Sequence, residues 1–237
     1  MECVWFTDDR DPVARAAAAY LAGRRWRVAL NDLGGERVAG CERTRVDLTD
    51  ADAVNGAVRS FGDALRGVVH PAPPPVRASV EEADDALWRN AFDGGALSAM
   101  LVTAAAGECL AAAGRGAIIY LGSIHAEKPM GEGFLYSMGA AATQMLCREA
   151  ALTYGANGVH CVYVQRGVME HELANGSRFG NQYSGVALRY PKRRVPGPDS
   201  LCGLIEFLLT GAASPLNGAD LRADEGYVMY YGNQVEG

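Results

Sequence analysis

The sequence predicts a doubly wound α/β fold. Short apolar segments such as "CVWFT" (Cys3–Thr7) and "GAIIYLGS" (Gly116–Ser123) alternate along the chain with longer helical segments. These segments are apolar throughout, as in parallel strands covered by helices on both faces. The 237 residues suit one domain, residues 1–237, with a large buried core.

The elements follow in order. Cys3–Thr7 reads as a strand and Pro12–Gly23 as an Ala-rich helix. Asp11-Pro12 is an N-cap followed by proline at the first helical position, a strong helix start. "RVALND" (Arg27–Asp32) is a strand, and "TRVDLTD" (Thr44–Asp50) ends another. Ala51–Phe61 is helical, and "RGVVHPA" (Arg66–Ala72) is a buried strand that runs into prolines. Val80–Ala113 carries one or two long helices, then come strand Gly116–Ser123 and helix Tyr136–Tyr154. "GVHCVYVQ" (Gly158–Gln165) is a strand, Leu201–Leu209 a helix, and "ADLRADEG" (Ala219–Gly226) a last strand. The long irregular stretch Val168–Ser200 reads as a substrate loop or lid, with Met169, Phe179, Tyr183 and Tyr190 as ligand or subunit contacts.

Composition narrows the function. A net charge of −6 argues against a nucleic-acid footprint. No apolar run is expected to reach the ~18 residues of a membrane span. The chain enters a strand at once, which predicts no signal peptide and a cytoplasmic protein. The cysteines, Cys3, Cys41, Cys109, Cys147, Cys161 and Cys202, show no metal-ligand spacing and read as reduced core residues, so no metal site is expected.

Several motifs together resemble the short-chain dehydrogenase/reductase superfamily over nearly the whole chain. Ser123 in "IIYLGSIHA" and Tyr136 in "FLYSMGAAA" keep the thirteen-residue spacing of that family's catalytic serine and tyrosine. Asp47 in "VDLTD" matches its adenine-pocket acid, and Trp88 matches a tryptophan of its long interface helix. "RVPGPDSLCGLIEFLLTGAASPLNG" (Arg194–Gly218) and "LRADEGY" match its closing segment and final strand. The resemblance implies a Rossmann-type, mostly seven-stranded parallel sheet, catalytic roles for Ser123 and Tyr136, and assembly as dimers or tetramers through the long helices.

The departures fall where the chemistry belongs. The family's first turn reads TGxxxGxG, whereas the three glycine positions after Thr7 hold Asp8, Pro12 and Ala14. Asp8, Asp9 and Asp11 put carboxylates where a pyrophosphate would meet a helix N-terminus, with Arg10 as a partial offset. The segment "HPAP" (His70–Pro73) replaces NNAG, and a stiff run of prolines narrows or re-routes the cleft. Gly95 falls near the tetrad asparagine, Ala140 replaces the lysine four residues after the tyrosine, and Arg166 replaces the proline of the family's PG turn. Without a nearby cation, a tyrosine stays near its reference pKa of ~10. His70 and His125 are candidate bases, Arg166 a candidate anion holder, and Asp32 reads as a solvated loop residue.

These departures lead to three expectations. The first is a catalytically degenerate family member that binds no NAD(P) and serves as a non-catalytic partner subunit of an active homologous dehydrogenase, or self-associates. In it Ser123 and Tyr136 are vestigial or repurposed, and Asp47 is a remnant. The second is a non-redox lyase, isomerase or cyclase, halohydrin-dehalogenase-like, reusing Ser123 and Tyr136. The third is an atypical NAD(P)H-dependent ketoreductase.

Overall fold

A computed structural model describes residues 1–131, 133–174 and 185–229. Seven parallel strands form one sheet: β1 (Cys3–Phe6), β2 (Arg27–Asn31), β3 (Glu42–Thr44), β4 (Leu65–Pro71), β5 (Gly116–Ser123), β6 (Val159–Arg166) and β7 (Asp220–Ala223). Their order is β3-β2-β1-β4-β5-β6-β7, so the winding reverses between β1 and β4. That reversal opens a crevice at the carboxyl ends of these strands, where such sheets bind ligands.

Side-chain alternation along each strand feeds two cores. Cys3, Trp5, Ile118, Tyr120, Cys161 and Tyr163 face one way. They pack with α2 (Ala51–Phe61), α4 (Ser98–Ala112) and α5 (Phe134–Tyr154). Val4, Phe6, Ile119, Leu121, Val162 and Val164 face the other way, against α1 (Pro12–Ala22) and α7 (Cys202–Leu208). Burial on both faces is why the strands carry no polar stripe.

Three expectations are corrected here. Residues Thr44–Asp50 are not a strand. The edge strand β3 stops at Thr44, and beyond it Asp47 accepts hydrogen bonds from the backbone and hydroxyl of Thr49 and closes a turn. The segment Asp85–Ala112 is one helical run, α3 (Asp85–Phe92) joined to α4 through a π turn at Asp93–Leu97. By length and composition it is apolar enough to cross a membrane, contrary to the sequence reading, and half of its apolar window is buried in the fold. The described part of Val168–Ser200 is packed rather than irregular. It holds α6 (Glu170–Ala174) and a small core of Val168, Val186, Tyr190 and Val195, with the Tyr190 hydroxyl donating to the Val168 carbonyl at 2.5 Å. Phe179 and Tyr183 lie outside the described residues.

Candidate active site at the carboxyl edge of the sheet

The turn after β1 differs from the three bare carboxylates expected. Asp8 accepts from the Arg10 backbone at 2.8 Å and from its guanidinium at 2.7 Å. Asp9 points away from the helix and accepts from the backbone of Leu33 and Gly35 at 2.8 and 2.9 Å. A Cβ on Gly35 would sit 2.0 Å from the Asp9 carbonyl oxygen, so this contact requires glycine. Only Asp11 caps α1, accepting from the Ala14 N–H at 2.8 Å, with Pro12 at the first position. Its other oxygen lies 2.6 Å from Arg166 Nη1. Each charge in the turn is matched locally.

Ser123 and Arg166 are register partners at the ends of β5 and β6. Ser123 is fixed through its backbone N–H, which donates to the Tyr163 hydroxyl at 3.1 Å. Gly122 makes that possible, because a Cβ there would overlap the Tyr163 ring at 2.0 Å. Ser123 Oγ accepts from the His125 N–H at 3.1 Å, which leaves its own O–H free to donate. Tyr136, in the first turn of α5, lines one small pocket together with Ser123. Burial raises the Tyr136 hydroxyl above its ordinary value, with Arg166 the largest opposing influence. Its ring meets that of His125 edge-on at 6.2 Å.

The departures also find places. Ala140 is buried and lines a cavity of about 250 Å³ with Tyr136, Thr143 and the proline run 73–75. Gly95 is buried in the π turn, and a Cβ there would touch Pro73 at 3.5 Å, so proline 73 occupies the space beside it. His70 is buried at the end of β4 and paired with the Thr7 hydroxyl at 2.8 Å. Desolvation drops its pKa to about 4, so it is neutral at pH 7 and a poor base. His125 is held by the Lys128 carbonyl at 2.9 Å, and burial lowers it as well. Asp32 is not a solvated loop residue: Arg43 and Arg45 bind it at 2.5 and 2.8 Å and hold its carboxyl below the usual range. Asp47 stands over a second cavity.

Two chambers flank the turn. One of about 480 Å³ is lined by Asp32, Leu33, Asp47, Leu48, Thr49 and Ser98. The other, about 300 Å³, is lined by Asp11, Pro12, Tyr136, Arg166, His171 and Glu172. Asp8 and Arg10 belong to both, so the chambers meet at the turn. His171 and Glu172 were not anticipated, and nothing in the pattern "MEHELA" marks them. Burial raises the Glu172 carboxyl and lowers the His171 imidazole, moving both toward their neutral forms. Among the described residues no three His, Cys, Asp or Glu side chains group as a metal site.

A family model described as enoyl-(acyl carrier protein) reductase matches residues 10–228. The chain is 30% identical over 229 residues to cis-4-hydroxycyclohexanecarboxylate dehydrogenase of Sinomonas cyclohexanicum, covering 91% of this chain and 92% of that one. It belongs to the short-chain dehydrogenase/reductase superfamily. D-threitol dehydrogenase of Mycolicibacterium smegmatis is 26% identical, with 91% and 84% of the two chains covered. Among solved structures of this short-chain dehydrogenase fold, a gluconate 5-dehydrogenase from Burkholderia cenocepacia J2315 in complex with NADP and tartrate superposes with a TM-score of 0.88 at 21% identity, covering 97% of this chain and 96% of that one. ElxO with NADP bound superposes with a TM-score of 0.84 at 17% identity, covering 96% and 99%.

These findings overturn the expectation of a cofactor-free chain. The relatives are named dehydrogenases, and neighbours of the same fold hold NADP. The sequence misled because it shows aspartates without their partners. Asp8 carries its own arginine and Asp9 is aimed at the β2 loop, so the turn is nearly charge-balanced. The residues present fit a dinucleotide at both ends of the crevice. Where the two chambers meet, the half-exposed Arg10 guanidinium, paired with Asp8, is a cation that would face a bound diphosphate.

Proposed function

We propose that this chain is an NAD(P)-dependent oxidoreductase, a cytoplasmic short-chain dehydrogenase that interconverts a secondary alcohol and its ketone. The Ser123 and Tyr136 side chains, brought into one small pocket on the wall of the crevice, carry this reading. Dehydrogenase relatives named for hydroxylated carbocycles and polyols support a small hydroxylated substrate. Asp32, Leu33, Asp47 and Leu48 would hold the adenosine end of the cofactor, and the chamber at Tyr136 would hold the nicotinamide, which when bound supplies hydride chemistry.

The chain's own residues handle the proton. Tyr136 is neutral at pH 7, so its hydroxyl can give a proton to a carbonyl oxygen, and the phenolate left behind is the form that accepts the proton of an alcohol in the reverse direction. Ser123 donates its free O–H to the same oxygen and holds it against the tyrosine. His125 supports Ser123 through its backbone N–H, not its ring.

The test has two parts. NADH or NADPH titrated into the purified chain should bind, and Tyr136→Phe should lower turnover about 10²–10⁴-fold with binding kept. Absence of nucleotide binding sinks the reading. A specific observation favours a second one. Ala140 removes the cation from α5, so the chain as a partner subunit would bind nucleotide yet turn over only in assembly with an active homologue. Under that reading the purified chain is inactive, and a co-purified homologue restores activity that Tyr136→Phe leaves untouched.

A further inference from the structure

We infer that Arg166 is the cation that tunes Tyr136 in this chain, standing in from β6 for the lysine that the family carries on α5. This rests on the dehydrogenase reading. Arg166 stands beside Ser123 in strand register, and Ser123 and Tyr136 line one small pocket. Arg166 and Tyr136 line the same chamber of about 300 Å³. The arginine is only 6% exposed. Its Nη1 lies 2.6 Å from Asp11 Oδ2, so a salt bridge fixes the guanidinium on the wall of the chamber that Tyr136 also lines.

The charges around Tyr136 come from four other directions. Asp8, Arg10 and Asp11 approach from the turn leading into α1, Glu172 and His171 from α6, His125 from the turn after β5, and Tyr163 from β6. Arg166 opposes the rise of the Tyr136 hydroxyl more strongly than Asp11 or Glu172 reinforces it. Glu172 is itself pushed toward its neutral form by burial. Among the charged neighbours the guanidinium is the largest single influence on the hydroxyl. Arg166 acts through Tyr136 and is a positioning residue rather than a catalytic one.

Placing 3,5-difluorotyrosine at position 136 tests this, because the phenol then ionises nearer neutrality and gives one ¹⁹F signal. Arg166→Gln should raise the titration midpoint by about one pH unit, a tenfold change in ionisation constant. Arg166→Lys should keep the midpoint, and Ala140→Lys in the Arg166→Gln background should bring it back down. An unchanged midpoint in a natively folded Arg166→Gln protein overturns the proposal and leaves Arg166 as a lock for Asp11. Should Arg166→Gln not fold, Asp11→Asn with Arg166→Met is compared with Asp11→Asn alone, and the midpoint should again rise when the arginine is lost. The ¹⁹F readout needs no turnover, so an inactive chain fails the dehydrogenase reading and leaves this comparison decisive.

Discussion

His70 illustrates how one residue's surroundings decide its role. It stands at the end of β4 in the crevice, where an imidazole invites assignment as a base. Its partner is the Thr7 hydroxyl, no carboxylate touches it, and burial takes its pKa from 6.5 to about 4. Below pH 6.5 the unfolded chain binds a proton that the folded chain refuses until about pH 4, so stability falls as pH drops through that window. The loss is on the order of 3 kcal/mol. Urea titrations at pH 7.5 and 4.5 should show it, and His70→Asn should remove that share of the pH dependence. An equal fall in wild type and variant means that His70 titrates normally. Ser123 and Tyr136 were singled out by their resemblance to the family's serine and tyrosine, and the fold brings the two to one pocket. Arg166 was legible only as an anomaly. Its partner Asp11 is 155 positions away in the chain, and no local pattern joins them.

At the scale of elements, the junction of β5 and β6 sets the site. Gly122 allows the Tyr163 ring to lie against β5, and that ring's hydroxyl receives the Ser123 N–H. Gly122→Ala should cost about 1–3 kcal/mol by overpacking and should also lower turnover, since Ser123 shifts with Tyr163. Denaturant titration and steady-state kinetics together check it, and loss of stability without loss of rate would detach Ser123 from Tyr163. Most strands and helices were readable from apolar runs and caps. The exceptions have physical causes. β3 ends early because it is an edge strand with little burial, and its expected continuation turns at Asp47. The α3–α4 run stays unbroken through Gly94 and Gly95 because a π turn absorbs them and Ser98 Oγ satisfies their carbonyls at 2.9 and 3.0 Å.

For the whole molecule, the crevice between two halves of the sheet makes stability a report on ligand. A nucleotide that spans both chambers would touch the ends of β4 and β6 and the turns after β1 and β2 at once. At about 100 times its Kd it should add ~2.7 kcal/mol, or about 5–10 °C in Tm for a domain of this size. Thermal melts with NAD⁺, NADP⁺ and adenosine diphosphate distinguish full occupation from binding at the adenosine end alone. No shift with any of them would mean that the turn excludes the diphosphate. The overall architecture was legible because hydrophobic periodicity dictates it. The cofactor question was not, because it depends on where each aspartate points. Asp9 reaches the β2 loop and Asp8 reaches Arg10, and neither direction is written in the run "TDDRD".

The Asp11–Arg166 contact also restricts how this sequence can change. Replacing Asp11 alone strands a buried guanidinium, and replacing Arg166 alone strands a buried carboxylate. Either step costs about 3–5 kcal/mol, a large part of the ~5–15 kcal/mol that keeps a domain folded. The two positions are therefore energetically coupled, and a double substitution should cost less than the sum of the two single ones. The pair acts as a ratchet: neither residue changes freely unless the other changes with it.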